Sequence, residues 1–258
     1  MEGYDPVSRS FRIKDIITRR KSGRELRCYY RFRADRWYGG IATGDVIGCN
    51  LSCKFCWSWY FKDRPDLGSF YTSEEAFNKI TSIMRRRDLR RARLSGGEPT
   101  LSIDHLLEIL RLFDESSIEF ILETNGILIG FDERLARALS RYSNIIVRVS
   151  FKGVSRNEFH MLTGANPESF ELQFKALENL INSGLKPGRE VYPAAMIGFS
   201  RDEDIIEFSR RLTQIHPALA EVDWEYVILY PHVRKILSRA GLKPVRAVDP
   251  SNIPREMI

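Results

Sequence analysis

Residues 41–57, IATGDVIGCNLSCKFCW, set a short apolar run directly before three closely spaced cysteines, Cys49, Cys53 and Cys56. The run at 41–48 reads as a β-strand, and residues 49–71 as a long loop rich in cysteine and aromatic side chains. A C-x3-C-x2-C spacing in a loop points to a metal centre, because packing alone rarely spaces three thiols so regularly. The chain has only four cysteines, too few and too bunched for a disulfide framework. Three thiolates can hold three irons of a [4Fe-4S] cube and leave the fourth iron open, whereas electron-transfer clusters ordinarily use four cysteines. Cys28, upstream of the strand, is the one other candidate ligand. The competing readings are thiols that are simply buried and a zinc site. Zinc normally wants four N or S ligands, and the four histidines, His105, His160, His216 and His232, are scattered along the chain.

Outward from this loop the chain alternates. Thr72-Ser-Glu-Glu75 matches a capping box and predicts a helix to about residue 87. Further helices are expected over 103–113, 132–141, 167–182 and 202–214, the third of these ended by Gly184. Strands are expected over 91–94, 119–123, 144–151, 191–198 and 222–229. About six βα units imply an α/β fold with a parallel sheet and right-handed crossovers, a partial (β/α)6 TIM-type barrel. The Gly-rich and polar stretches fall just after the strands: Ser95-Gly96-Gly97-Glu98-Pro99, Glu123-Thr124-Asn125-Gly126 and Ser150-Phe151-Lys152-Gly153. In a parallel barrel such loops converge on the C-terminal face, where sites are built.

The C-x3-C-x-aromatic-C pattern after a first strand, with Phe55 as the aromatic, resembles the radical S-adenosylmethionine superfamily, over residues 41 to about 245. In that family three cysteines hold a [4Fe-4S] cluster whose open iron binds the amino and carboxylate groups of S-adenosylmethionine. One electron then breaks the sulfur–C5′ bond, and the 5′-deoxyadenosyl radical abstracts hydrogen from a substrate. The resemblance makes Cys49, Cys53 and Cys56 the metal ligands. It assigns the Gly96-Gly97-Glu98-Pro99 turn to the amino group of S-adenosylmethionine, consistent with what glycines allow a backbone to approach. Glu123 and Asn125 become candidates for the ribose hydroxyls or a nearby cation, Lys152 for the cofactor carboxylate, Ser150 for the ribose, and Ile197 for packing on adenine.

The layout is closest to the glycyl-radical-enzyme activating enzymes. Ser150-x-Lys152 resembles their D-x-K segment, with serine in place of aspartate, which puts their cation site in doubt because a hydroxyl is the poorer cation ligand. Tyr230-Pro231-His232 sits where they carry a similar stretch, so His232 is either a site residue or a loop cap. That likeness implies activation of a partner protein. The alternatives are a radical enzyme acting on a nucleoside, RNA or small metabolite, and a non-catalytic iron–sulfur electron-transfer protein. An external one-electron reductant of flavodoxin or ferredoxin type is implied in either enzyme reading.

Residues 1–40, basic and aromatic, are expected to form a strand or hairpin outside the repeating unit at 41–245, and 246–258 a C-terminal tail. Hydrophobic residues make up 43% of the chain, enough for an ordinary core. The net charge of +6 permits a nucleic-acid or acidic partner without demanding one. The basic run at 85–93, RRRDLRRAR, reads first as a solvated helix end, with RNA phosphates the alternative. No apolar run of membrane-spanning length and no apolar leader occurs, so a cytoplasmic monomer with no membrane partner is expected. Trp57, Trp59, Tyr60 and Phe61 are expected to shield the metal loop from solvent.

Overall fold

The computed structural model of the protein describes residues 2–254. Helix α1 (Pro6–Ile17) leads into an antiparallel hairpin of β1 (Thr18–Lys21) and β2 (Arg24–Asp35). β3 (Ile41–Val46) follows, and after the cysteine loop come β4 (Ser69–Tyr71), α2 (Ser73–Arg87), β5 (Arg91–Gly96), α3 (Ile103–Glu115) and β6 (Glu119–Thr124). The chain continues through α4 (Ile127–Phe131), α5 (Glu133–Leu139), β7 (Ile145–Phe151), α6 (Arg156–Thr163), α7 (Glu171–Asn182), β8 (Val191–Met196) and α8 (Asp202–Ile215). It closes with β9 (Asp223–Glu225), β10 (Val227–Ile228), α9 (Pro231–Arg239) and β11 (Ala247–Val248).

The main sheet runs β1-β2-β3-β5-β6-β7-β8-β9, with β4 added to β2. From β3 to β9 six strands are joined by five pairings, all parallel. This is the expected α/β unit of six strands. Among the described residues no pairing joins β9 back to β3, so the barrel is open, and the β2 hairpin lies antiparallel against its first strand.

Both faces of the parallel strands are covered. Every residue of β3 is buried, and all but one of β7 and β8. Such strands ordinarily read as continuous apolar runs. Here one face of every strand but β8 carries polar side chains: Thr43 and Asp45, Arg93 and Ser95, Glu123, Arg148 and Ser150, Asp223 and Glu225. The register aligns them. Thr43 stands beside Arg93, Glu123 beside Arg148, and Met196 beside Glu225. The other face packs on the helices, for instance Phe151 against Phe170, Phe174 and Phe208.

Several local expectations need amending. The capping box is present, with Thr72 and Glu75 bonding each other's backbone amides, and α2 ends at Arg87 on a left-handed Asp88. The helix expected over 132–141 is α5, capped by Asp132, and a short helix that was not expected, α4, precedes it. The strand expected over 222–229 breaks into β9 and β10, because β10 leaves the main sheet to pair with β11. The hairpin expected near the N-terminus is there, but α1 precedes it. Asp5 caps α1, with Pro6 at its first position. Of the tail at 246–258, Ala247–Val248 form β11, Arg246 bonds the carbonyl of Ser200 at 2.7 Å, and 255–258 lie outside the described residues.

Candidate active site

The cysteine loop is anchored from both flanks. On one side Asn50 donates to Ser10 at 3.0 Å, Arg9 donates to Ser52 at 2.6 Å, and the Ser52 amide donates to the Tyr4 hydroxyl at 2.9 Å. On the other side α6 supplies carbonyls: the amide of Lys54 bonds Leu162 and its ammonium bonds Met161. Within the loop the amide of Cys56 bonds the carbonyl of Cys53 at 3.1 Å. Cys53 is buried and Cys49 and Cys56 half-buried, and all three line one cavity of about 180 Å³. Cys28 does not line it. It is fully buried among Ile13, Ile17, Ile47 and Leu101.

Burial pushes the Cys49 thiol up to about 12 and raises Cys53 and Cys56 as well. Lys62 opposes the rise at all three, and Lys152 at Cys53 and Cys56. Thiols so reluctant to ionise alone are poor free nucleophiles, but bound metal deprotonates them outright. Among the described residues no three His, Cys, Asp or Glu side chains converge on a point as ligands of a single ion would. A cube asks for something else, one thiolate on each of three irons. The donor set, one-sided and lining a cavity, therefore fits a cluster with an open iron.

The second loop closes on the first. The amide of Gly97 bonds the carbonyl of Val46 at 2.8 Å and that of Glu98 bonds Gly48 at 2.7 Å. A Cβ on Gly97 would lie 2.1 Å from the Gly48 oxygen, so only glycine fits. Gly96 has φ of +88° and faces the Tyr30 ring. Both glycines line the cavity. Glu98 lines it too, but its carboxylate is committed within the protein. It accepts from the Thr100 amide and hydroxyl, the Thr124 hydroxyl at 2.7 Å and the Asn125 amide at 2.8 Å. Glu98 thus staples the second loop to the third. Pro99 is buried at the start of the turn behind it.

Asn125 is likewise engaged, donating to Asn50 at 2.7 Å and accepting from the Ile127 amide. Glu123 accepts from Tyr38 at 2.5 Å, Arg93 at 2.6 Å and Ser95 at 3.1 Å. Burial opposes its ionisation, but Arg93 and Arg148 outweigh it and hold the carboxyl at about 2. Ser150 accepts from Lys152 at 2.5 Å, and both line the thiol cavity.

Phe55 lines the cavity, its ring 6.2 Å from that of Phe199. Ile197 does not line it, whereas Met196, one residue earlier, does. Successive strand residues point to opposite faces, so the inward position falls on Met196. His232 bonds the carbonyl of Trp57 at 2.9 Å and stacks on Tyr230, tying α9 to the cysteine loop.

Sequence reading missed Glu225. Its Oε1 lies 2.9 Å from Arg148, and its Oε2 lies 3.4 Å from Ser150 and 4.0 Å from Lys152. Burial works against its charge, yet Arg148 and Lys152 hold it below the usual carboxylate range. Lys62, a buried ammonium over the Trp59 ring and paired with Asp63, was also missed. A second cavity of about 660 Å³ shares Trp57, Glu123, Arg148 and Glu225 with the first. Trp37 and Trp57 stack along it at 5.8 Å, with Tyr230 edge-on. Five arginines and five carboxylates line it.

Among curated proteins the chain is similar to a probable GTP 3',8-cyclase of Sulfurisphaera tokodaii, 27% identical over 76% of this chain and 62% of that protein. A second probable GTP 3',8-cyclase, of Pyrococcus horikoshii, is 29% identical over 65% of this chain and 51% of its own. The chain thus spans about half to three-fifths of the length of these relatives. Among solved structures, Streptococcus suis SuiB bound to S-adenosylmethionine superposes with a TM-score of 0.56 at 16% identity, over 84% of this chain and 47% of that one. HydG, a maturase of the FeFe-hydrogenase, gives 0.58 at 11% identity, over 76% and 45%. These show the same fold. The sequence model of the radical SAM superfamily matches residues 46–212, the stretch that runs from the cysteine strand through all three loops above. The chain belongs to the radical SAM superfamily, whose cofactors are a [4Fe-4S] cluster and S-adenosylmethionine.

Proposed function

We propose that this protein is a radical enzyme that abstracts hydrogen from a small ring-bearing substrate, a nucleoside or related metabolite, held in the outer cavity. The observation that carries this is the wall shared by the two cavities. Glu123, Arg148 and Glu225 line the thiol cavity on one side and the aromatic chamber on the other. A substrate stacked in the chamber would therefore lie next to bound S-adenosylmethionine.

When bound and reduced, the cluster supplies the electron that cleaves S-adenosylmethionine to methionine and a 5′-deoxyadenosyl radical. The chain's residues bind and orient. Cys49, Cys53 and Cys56 would hold the cluster, and Phe55 and Trp57, which line the same cavity, would help to keep water from it. The backbone of Gly96 and Gly97, which lines the cavity, would offer carbonyl oxygens to the cofactor's ammonium, which needs acceptors. Lys152 takes its carboxylate, Ser150 a ribose hydroxyl, and Met196 the adenine face. Glu98, Asn125 and His232 hold the loops in place. Residues 41–245 form the catalytic unit, with α1 bracing the cysteine loop.

The substrate class rests on chamber chemistry. Stacked Trp37 and Trp57 offer a flat apolar slot, a good match to a planar ring. Four of its five arginines are already met by carboxylates, as Arg93 is by Asp35 and Glu123, and among the described residues only Arg36 makes no ion pair. The slot therefore favours the ring over a phosphate chain. The relatives named for GTP agree with a purine-bearing substrate. Activation of a partner protein is the second reading. What favours it is Glu225, which brings a carboxylate within 3.4 Å of Ser150, the position where the activating enzymes carry aspartate.

The test is anaerobic. The reconstituted, reduced protein is given S-adenosylmethionine, and 5′-deoxyadenosine is measured alone, with guanosine or adenosine, with GTP, and with a glycyl-radical enzyme. Stimulation by a nucleoside supports the proposal, and stimulation by the protein alone favours the second reading. No cleavage in any arm, with a verified cluster, defeats both. Cys53→Ala is expected to abolish cleavage and iron binding, and Cys28→Ala to retain both.

A further inference from the structure

We infer that the outer face of α1 is the docking surface for an acidic one-electron carrier protein that reduces the cluster. The inference rests on the radical reading above. Its first support is position. The inner face of α1 is the floor of the cysteine loop: Ser10 bonds Asn50, Arg9 bonds Ser52, and Ile13 and Ile17 close on Gly48. A protein seated on the outer face would be separated from the three thiols by one helix, whose diameter is about 10 Å.

The second support is charge. Residues 8–24 hold seven basic side chains and one acidic one, so this segment carries a formal charge equal to that of the whole chain, and the remainder is balanced. Four of the seven have acidic partners: Arg9 with Asp63, Lys14 with Glu25, Arg20 with Asp104, and Arg24 with Glu74. Among the described residues, Arg12, Arg19 and Lys21 make no ion pair. Arg19 is held over the Phe70 ring, its guanidinium bonded only to backbone carbonyls.

The third support is an apolar centre. Phe11 is 61% exposed and Ile16 47%, on the outer face of α1 with Arg12 and Asp15, and Arg19, at the start of β1, folds back on the Asp15 and Ile16 carbonyls. Small apolar patches rimmed by charge suit brief, electrostatically steered encounters between proteins. The other basic run, at 85–93, starts at the C-terminal end of α2 and enters the start of β5, the opposite end of the sheet from the loops. Two of its arginines are spent on Glu119 and on Asp35 and Glu123.

In the step itself one electron leaves the reduced carrier and enters the oxidised cluster, and no atom moves with it. The test compares two reductants on the holoenzyme. Reduced flavodoxin must dock, whereas dithionite need not. Arg12→Glu combined with Arg19→Glu is expected to raise the KM for flavodoxin on the order of tenfold and to flatten its dependence on ionic strength. Phe11→Ala should raise it by a smaller factor. Dithionite-driven 5′-deoxyadenosine formation and iron content should stay at wild-type levels. Calorimetric binding of oxidised flavodoxin, which needs no turnover, should weaken in parallel. An unchanged flavodoxin KM and affinity in the double variant would overturn the proposal, as would loss of co-purified RNA from it with the flavodoxin KM unmoved. Loss of dithionite-driven cleavage in the wild type would instead strike at the radical reading.

Discussion

The side-chain amide of Asn125 donates to Oδ1 of Asn50 across 2.7 Å, joining the loop after β6 to the residue that follows the first cysteine. Asn50 passes the contact on, donating to Ser10 of α1. Both asparagines are buried, so each bond replaces water that cannot reach it. Asn50→Ala strands the Asn125 amide, a loss of about 1–3 kcal/mol. Urea unfolding should show that loss, and iron content after reconstitution should fall with it. Asn50→Asp, which keeps the acceptor for Asn125 but removes the donor to Ser10, should fall between the two.

Gly97 makes a sharper prediction. Its missing side chain is what lets the second loop lie on the first, since a Cβ would meet the Gly48 oxygen at 2.1 Å. The obstacle is backbone and cannot rotate away. Gly97→Ala should cost about 1–3 kcal/mol as overpacking. It should also displace the carbonyls assigned to the cofactor ammonium, weakening S-adenosylmethionine binding at least tenfold by calorimetry. Gly23, at the tip of the β1–β2 hairpin, has open space around it, so Gly23→Asn is the tolerated control.

Legibility in the sequence followed the solvent. The six parallel strands could be read because they are short runs rich in apolar and β-branched residues, and α2 because Thr72 and Glu75 cap it in the usual way. α1 escaped notice because its inward stripe is broken by Ser10, while Phe11 and Ile16 stand outside. The apolar pattern is scrambled where the helix has two faces to serve. Glu225 was hidden for a related reason. A strand reading of 222–229 gives no cause to single out one acid, and only the register across β7, β8 and β9 brings it to Arg148 and Lys152. The roles suggested for Glu98 and Asn125 show the converse limit. Motif residues were visible, but whether a polar side chain faces cofactor or neighbouring loop depends on partners far away in the chain, Thr124 and Asn50.

His105 predicts a pH dependence separate from the chemistry. It is buried on α3, with Nε2 2.7 Å from the Tyr29 hydroxyl and Nδ1 near Ser73. Burial, reinforced by the Arg27 guanidinium, pushes it down to about 3. An unfolded histidine titrates near 6.5. Between those values the unfolded chain binds a proton that the folded chain refuses, so stability is complete above about pH 6.5 and falls as pH drops towards 3. The slope from this one group is at most about 1.4 kcal/mol per pH unit. His105→Gln, which keeps a partner for Tyr29 without the titration, should flatten urea-derived stability between pH 6 and 4. An unaltered slope would assign the acid sensitivity elsewhere.

Lys152 and Glu225 make opposed predictions for cofactor binding. In the free protein Lys152 rests on Ser150, with Glu225 4.0 Å away. Glu225 does not depend on the lysine alone, because Arg148 holds its other oxygen at 2.9 Å. If Lys152 meets the carboxylate of S-adenosylmethionine, Glu225 is a competitor for the same ammonium. Lys152→Met should then weaken S-adenosylmethionine binding roughly ten- to hundredfold, the worth of a charge-assisted hydrogen bond. Glu225→Gln should tighten it severalfold by releasing the lysine. The two effects pass through one group, so they should not add: in the Lys152→Met background, Glu225→Gln should change affinity little. Calorimetric titration of the four proteins, with iron content matched, decides it. A gain from Glu225→Gln that persists without Lys152 would mean that Glu225 acts on the cofactor directly, and the lysine would lose its assigned role.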